Sequence, residues 1–158
     1  MNAFLDEVTA YFEQFTDDFI IACKEIQQIE PPGWARSGSI WLQHDDGFDD
    51  QLPLAFGWHD SESGYDNSVE DPIRKITTTP WSYGDSDNWP SDVVQPPWEV
   101  EDAMRLRICD WVRACWVRSG GRSHQMRFYV TNFAGAGSYC LQRGRFVTRS
   151  ELENDLNA

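Results

Sequence analysis

The chain has 158 residues, of which 41% are hydrophobic and 14% aromatic, and its formal net charge is −13. This apolar content excludes a disordered chain, and the length predicts a single domain over residues 1–158. The negative charge excludes nucleic acids and anionic membranes as expected partners, because both repel an acidic surface.

The first predicted elements are a helix and a β-hairpin. Apolar residues recur at intervals of three and four from Phe4 to Ile29, which predicts an amphipathic helix over residues 3–29. Two strand candidates follow, at 39–44 and 52–59, with an acidic, Gly-containing turn between them. Two short apolar runs flanking such a turn are typical of a hairpin.

Residues 60–97 form a long connection with little periodicity. They contain five prolines and many Ser, Asp and Asn residues. Connections of this length are usually functional or disordered. The aromatic residues from Trp81 to Trp98 indicate that this one packs onto the domain.

A second amphipathic helix is predicted from Pro97 to Ser119, because proline is favoured in the first helical turn. Its apolar stripe consists of Val100, Met104, Ile108, Trp111, Val112, Cys115 and Trp116. The arginines of the same segment fall outside that stripe and are expected at the surface: Arg105, Arg107, Arg113 and Arg118.

The C-terminal part predicts strands at 126–133, 139–142 and 145–147, followed by a short helix capped by Thr148 or Ser150. The order of elements predicts an α+β fold. We expect a mostly antiparallel sheet of four to five strands, with the two main amphipathic helices packed on it and the short C-terminal helix at the end of the chain.

Charge is unevenly distributed along the chain. Residues 1–102 contain 22 acidic and 4 basic residues, a formal charge of −18, whereas residues 103–158 contain 4 acidic residues and 9 arginines, a charge of +5. An acidic surface attracts basic proteins and accelerates their association. A simpler alternative is that the arginines neutralise the chain's own acidic loop.

The carboxylates of residues 45–89 are interleaved with aromatic residues, which often act as anchors in interfaces. We therefore predict a partner-binding surface in this region. Its members are Asp45, Asp46, Asp49, Asp50, Trp58, Asp60, Glu62, Tyr65, Asp66, Glu70, Asp71, Trp81, Tyr83, Asp85, Asp87 and Trp89.

Motifs for catalysis, cofactors or metals are weak. The Gly135-Ala136-Gly137 turn lacks the Lys-Ser/Thr of a phosphate-binding loop, and a hairpin turn is favoured there. The run Asp45–Asp50 does not have EF-hand spacing, so no calcium site is predicted. We expect no cofactor and no metal.

Two enzyme hypotheses remain open. His44 and His59 end adjacent strand candidates, each beside an aspartate, and would suit a small hydrolase or a metal-dependent enzyme if they approached each other. Cys115 or Cys140 would be a nucleophile if a histidine lay beside it. Four buried, reduced thiols are the simpler expectation, because no export signal is evident and no CxxC pair occurs.

In size, acidity, tryptophan content, opening amphipathic helix and the β-rich segments Leu52–His59 and Met126–Phe133, the chain resembles the small immunity proteins that bacteria encode beside secreted antibacterial toxins. The resemblance implies a cytoplasmic, non-enzymatic protein that binds and inhibits a cognate toxin, such as a basic nuclease. The same charge argument also fits a phage-type mimic of nucleic acid that blocks a host protein.

Overall fold

A computed structural model describes residues 2–43, 50–60, 65–66, 70–83, 86–132 and 137–158. Within these ranges the helices and strands form the predicted α+β fold. No helix of the described part is long and apolar enough to cross a membrane.

The described strands form one mixed sheet in the order β3-β2-β1-β4-β5-β6. Their bounds are β1 (Ser37–Leu42), β2 (Leu54–His59), β3 (Tyr65–Asp66), β4 (Phe128–Asn132), β5 (Ser138–Cys140) and β6 (Arg145–Val147). The prediction of a mostly antiparallel sheet is confirmed, with one exception, since β1 and β4 run parallel. The sheet has six strands rather than four to five because β3 adds a two-residue edge.

Four α-helices accompany the sheet in the described ranges. They are α1 (Asn2–Glu13), α2 (Thr16–Gln28), α3 (Pro97–Arg118) and α4 (Arg149–Asn157). The single helix predicted over residues 3–29 is wrong, because the chain turns at residues 14–15 and starts a second helix. Both α1 and α2 contact α3, and the indole Nε1 of Trp111 donates to Thr16 Oγ1 at 3.1 Å beside the turn.

The two faces of the sheet are covered by different helices. The main core lies between the sheet and α1, α2 and α3, where Trp116 stacks on Phe128 with ring centroids 4.3 Å apart. On the opposite face, Leu152 of α4 packs on a small cluster that includes Tyr129. Of the two predicted caps of α4, Thr148 is the one used: its Oγ1 accepts from the backbone N–H of Glu151, and the Glu151 side chain accepts in return from the backbone N–H of Thr148.

The predicted apolar stripe of α3 is confirmed, because all seven of its members are buried. The prediction that Arg105 lies at the surface is wrong. This residue is only 8% exposed and lies at the edge of the buried stripe.

The long connection packs onto the domain, as predicted. Trp81 is 4% exposed and lies against the rings of Tyr11 and Phe12, with ring centroids 5.3 and 5.4 Å away. Further along, Trp89 packs on Phe4 of α1 with centroids 5.5 Å apart. These contacts attach the connection to the first helix.

Asp71 fixes the start of this connection against the sheet. Its carboxylate accepts one hydrogen bond from the backbone N–H of Phe56 in β2 and one from the backbone N–H of Ile73, both at 2.8 Å. Ile73 belongs to a short 3₁₀ helix, Pro72–Lys75 (η1), whose N-cap is Asp71. Burial raises the pKa of Asp71, while the two backbone hydrogen bonds and the Arg74 guanidinium lower it.

We predict that Asp71→Ala destabilises the fold by about 2 kcal/mol, because two backbone N–H groups lose their acceptor. Glu70→Ala is the matched control, since the neighbouring Glu70 side chain is 82% exposed and we expect a change below about 0.5 kcal/mol. Urea denaturation of both variants measures the difference. Equal stability of the two variants would contradict this role for Asp71.

Candidate functional site: an acidic groove between α2 and η1

A groove of about 360 Å³ lies between α2 and η1. Its lining residues are Asp18, Ile21, Ala22, Glu25, Pro72, Lys75, Ile76 and Thr77. Ile21 is 54% exposed, so the groove lining includes an apolar side chain in contact with solvent. An exposed branched apolar side chain among carboxylates combines two features of a protein-binding surface, an apolar anchor and a charged rim.

The charge of the groove is mainly negative. Lys75 is its basic lining residue, and it forms ion pairs with Glu25 and Glu70 at 3.5 and 3.2 Å. The contact with Glu70 raises the pKa of Lys75. Asp50 is exposed nearby, where its backbone carbonyl accepts from the N–H of Thr78. One lysine cannot balance this set of carboxylates, and exposed pairs of this kind contribute only about 0–1 kcal/mol.

Five of the nine arginines of residues 103–158 form ion pairs within the described ranges, and three of these pairs are with α4. Arg143 pairs with Asp155 at 2.9 Å and Arg149 with Glu153 at 2.8 Å. Arg145 pairs with Glu151, and this contact holds the pKa of the Glu151 carboxyl at about 2. All three acidic partners belong to α4, so this helix neutralises the arginines beside it.

Two further arginines of α3 pair outside the acidic connection, Arg105 with Asp102 and Arg107 with Asp6. Among the ion pairs of the described ranges, none joins an arginine of residues 103–158 to a carboxylate of residues 50–92. The alternative in which the arginines neutralise the acidic loop therefore has no support in this part of the chain.

Eleven of the sixteen predicted partner-binding residues lie among the described residues. Asp50, Glu70 and Asp87 are exposed, and Asp60 is partly exposed. Tyr65 and Asp66 form β3, opposite His59 and Trp58. Five further carboxylates of the prediction lie outside the described residues: Asp45, Asp46, Asp49, Glu62 and Asp85.

The aromatic part of the predicted surface is wrong in its main members. Trp58 is fully buried against Phe56, and Trp81 is buried between the connection and α1, so neither side chain is open to a partner. Tyr83 and Trp89 are partly buried and pack on the main core. These rings stabilise the fold because each can bury a large apolar area. The tryptophan content of the sequence alone could not distinguish packing in the core from binding of a partner.

Asp71 is also removed from the predicted surface. Its side chain is 11% exposed and holds two backbone N–H groups, as described above. Sequence reasoning missed the groove residues Asp18, Ile21 and Glu25 on α2. The available signal was Ile21, which lies outside the apolar stripe of its helix and is still hydrophobic.

His59 is the one histidine of the His44/His59 hypothesis that lies among the described residues. It pairs with Ser37 at the start of β1. His44 itself lies outside the described residues. The indole N–H of Trp41 donates to His59 Nε2 at 3.1 Å, so this nitrogen is occupied as an acceptor and carries no proton.

The thiol of Cys115 is not activated in the described structure. All four cysteines are buried and free, as predicted, and burial raises the pKa of Cys115 to about 12. A thiol with such a pKa is protonated at neutral pH and is not an activated nucleophile. In the described ranges, no group of three or more His, Cys, Asp or Glu side chains is arranged to hold a metal ion.

Comparison with known proteins identifies no relative: no family model, no curated protein and no solved structure matches the chain. The function must therefore be inferred from the groove, the charges and the fold.

We predict that His59 makes stability depend on pH in the acidic range. Burial lowers the pKa of His59 from its ordinary value of 6.5, so the folded state favours the neutral ring. As pH falls below about 6.5, the unfolded chain takes up the proton first and the free energy of unfolding decreases.

Urea denaturation between pH 7.5 and pH 5 measures this effect as the difference between the original chain and His59→Gln. The free energy of unfolding of His59→Gln should rise relative to that of the original chain as the pH falls, because glutamine does not titrate. A difference that is constant over this range would contradict a lowered pKa.

Proposed function

We propose that the protein binds and inhibits a basic protein through the acidic groove between α2 and η1, and that it is an immunity protein against an antibacterial toxin. The observation that carries the proposal is the separation of charge. Five of the nine arginines of residues 103–158 form ion pairs with α4, Asp102 or Asp6 in the described ranges, while the carboxylates that line or border the groove face a single lysine.

The groove suits a basic partner for two physical reasons. Enzymes that act on nucleic acids need positive clefts for phosphates, and Asp18, Glu25 and Glu70 offer carboxylates in place of phosphates. Ile21 supplies an exposed apolar anchor in the groove lining, and contact with a partner there would exclude water. A nuclease toxin covered in this way would lose access to its substrate.

The direct test uses the toxin candidate encoded beside this chain and measures association by stopped flow at several salt concentrations. We expect a complex at low salt whose association rate falls as salt rises, because charge attraction steers the encounter. The double variant Asp18→Lys with Glu25→Lys should slow association by about tenfold or more at low salt.

The matched control is Asp92→Lys with Glu99→Lys, which changes the net charge by the same amount at exposed carboxylates that do not line the groove. We expect this control to slow association much less. Equal slowing by both variants would show that net charge rather than the groove guides binding. The absence of any complex at low salt would contradict the proposed function.

A further inference from the structure

Arg105 is a buried cation with incomplete pairing. It is 8% exposed, and its Nη1 donates to Asp102 Oδ1 at 3.3 Å, while Asp102 itself is 69% exposed. Its Nε is buried and has no hydrogen-bond partner among the described residues. Burying a guanidinium is unfavourable unless its donors are satisfied, so the side chain has capacity for a second anionic acceptor.

The side chain lines a cleft of about 380 Å³ between α3 and β6. The other lining residues are Asp102, Leu106 and Phe146. Leu106 is 44% exposed and Phe146 is 37% exposed, so two apolar walls border the cation. This volume is at the lower end of the range for small-molecule sites, which commonly combine apolar walls with a few polar groups.

The shape of the guanidinium favours a carboxylate. Its planar N–H groups match two carboxylate oxygens, and such charge-assisted bonds are among the stronger hydrogen bonds in proteins. A monoanion suits this position better than a dianion because Asp102 lies beside it and the whole chain is strongly negative. The apolar walls at Leu106 and Phe146 complement a hydrocarbon group attached to the carboxylate.

We propose that the cleft between α3 and β6 binds a monocarboxylate carrying an apolar group, with Arg105 holding the carboxylate. This site is separate from the acidic groove, and its residues come from α3 and β6 rather than from α2 and η1. A bound carboxylate supplies the second anionic acceptor for the Arg105 guanidinium, which Asp102 alone pairs only in part.

The test is a titration of the isolated chain with phenylacetate and hexanoate, followed by isothermal calorimetry. Phenylacetamide, which lacks the charge, and acetate, which lacks the apolar group, are the control ligands. We expect phenylacetate and hexanoate each to bind at least about tenfold more tightly than either control ligand. If neither acid binds more tightly than the control ligands, the proposal is overturned.

A peptide that ends in phenylalanine, compared with its C-terminal amide, distinguishes the source of the carboxylate. Binding of the free acids and not of the peptide indicates a small metabolite. Preferential binding of the peptide with a free carboxylate indicates the C-terminus of a partner chain. Equal binding of the peptide and its amide would contradict recognition of the carboxylate.

Two substitutions act in opposite directions on this site. Arg105→Met removes the charge, keeps an unbranched apolar side chain and should weaken phenylacetate binding by at least about tenfold. Asp102→Asn removes the competing carboxylate and should strengthen binding severalfold. Arg107→Met is the control on the same helix, because Arg107 is half-exposed and does not line the cleft.

Arg105→Met should remain folded, since replacing a poorly paired buried ion with an apolar group is often neutral or stabilising. If it does not fold, Asp102→Asn still decides the matter. Unchanged or weaker binding in Asp102→Asn, or unchanged binding in Arg105→Met, would overturn the role of Arg105.

Discussion

The position of the acidic groove depends on one largely buried carboxylate, that of Asp71. Asp71 accepts hydrogen bonds from the backbone of β2 and from the first turn of η1, so it joins the sheet to the connection that follows. This places η1 against α2, and the groove is the space between the two. The burial that raises the pKa of Asp71 shows that this contact is desolvated, which makes the paired N–H groups important for stability.

The second constraint is the distribution of charge within the fold. The short helix α4 carries Glu151, Glu153 and Asp155, which pair with Arg145 of β6, with Arg149 of α4 itself and with Arg143 of the preceding turn. Part of the positive charge of the C-terminal third is therefore neutralised locally, and no described ion pair joins this third to the acidic connection. As a result, the carboxylates near α2 and η1 retain their attraction for an external basic surface.

Local patterns predicted the elements well, because their information lies within a few residues. The stripe from Val100 to Trp116 has helical spacing, and all of its members are buried. Both hairpins followed from short apolar runs separated by turns, and the pairings β1–β2 and β4–β5 confirm them. Thr148, the N-cap of α4, was also one of the two caps predicted from the sequence.

Features that depend on contacts between residues far apart in the sequence could not be predicted from local sequence patterns. The break between α1 and α2 lies where Trp111, 95 residues away, bonds Thr16. Arg105 is buried beside a cleft that Phe146 of β6 completes. The same limit explains the error at Trp58 and Trp81, because a tryptophan between carboxylates has the same sequence pattern whether its ring faces solvent or the core.

We expect the groove between α2 and η1 to be the face that attracts a basic partner. The most direct measurement is an NMR titration of the backbone amides with a short oligolysine peptide at low salt. We expect chemical-shift changes concentrated at residues 18–25 and 70–77, with little change in α4. Changes spread evenly over the acidic surface, or centred on α4, would contradict binding at the groove.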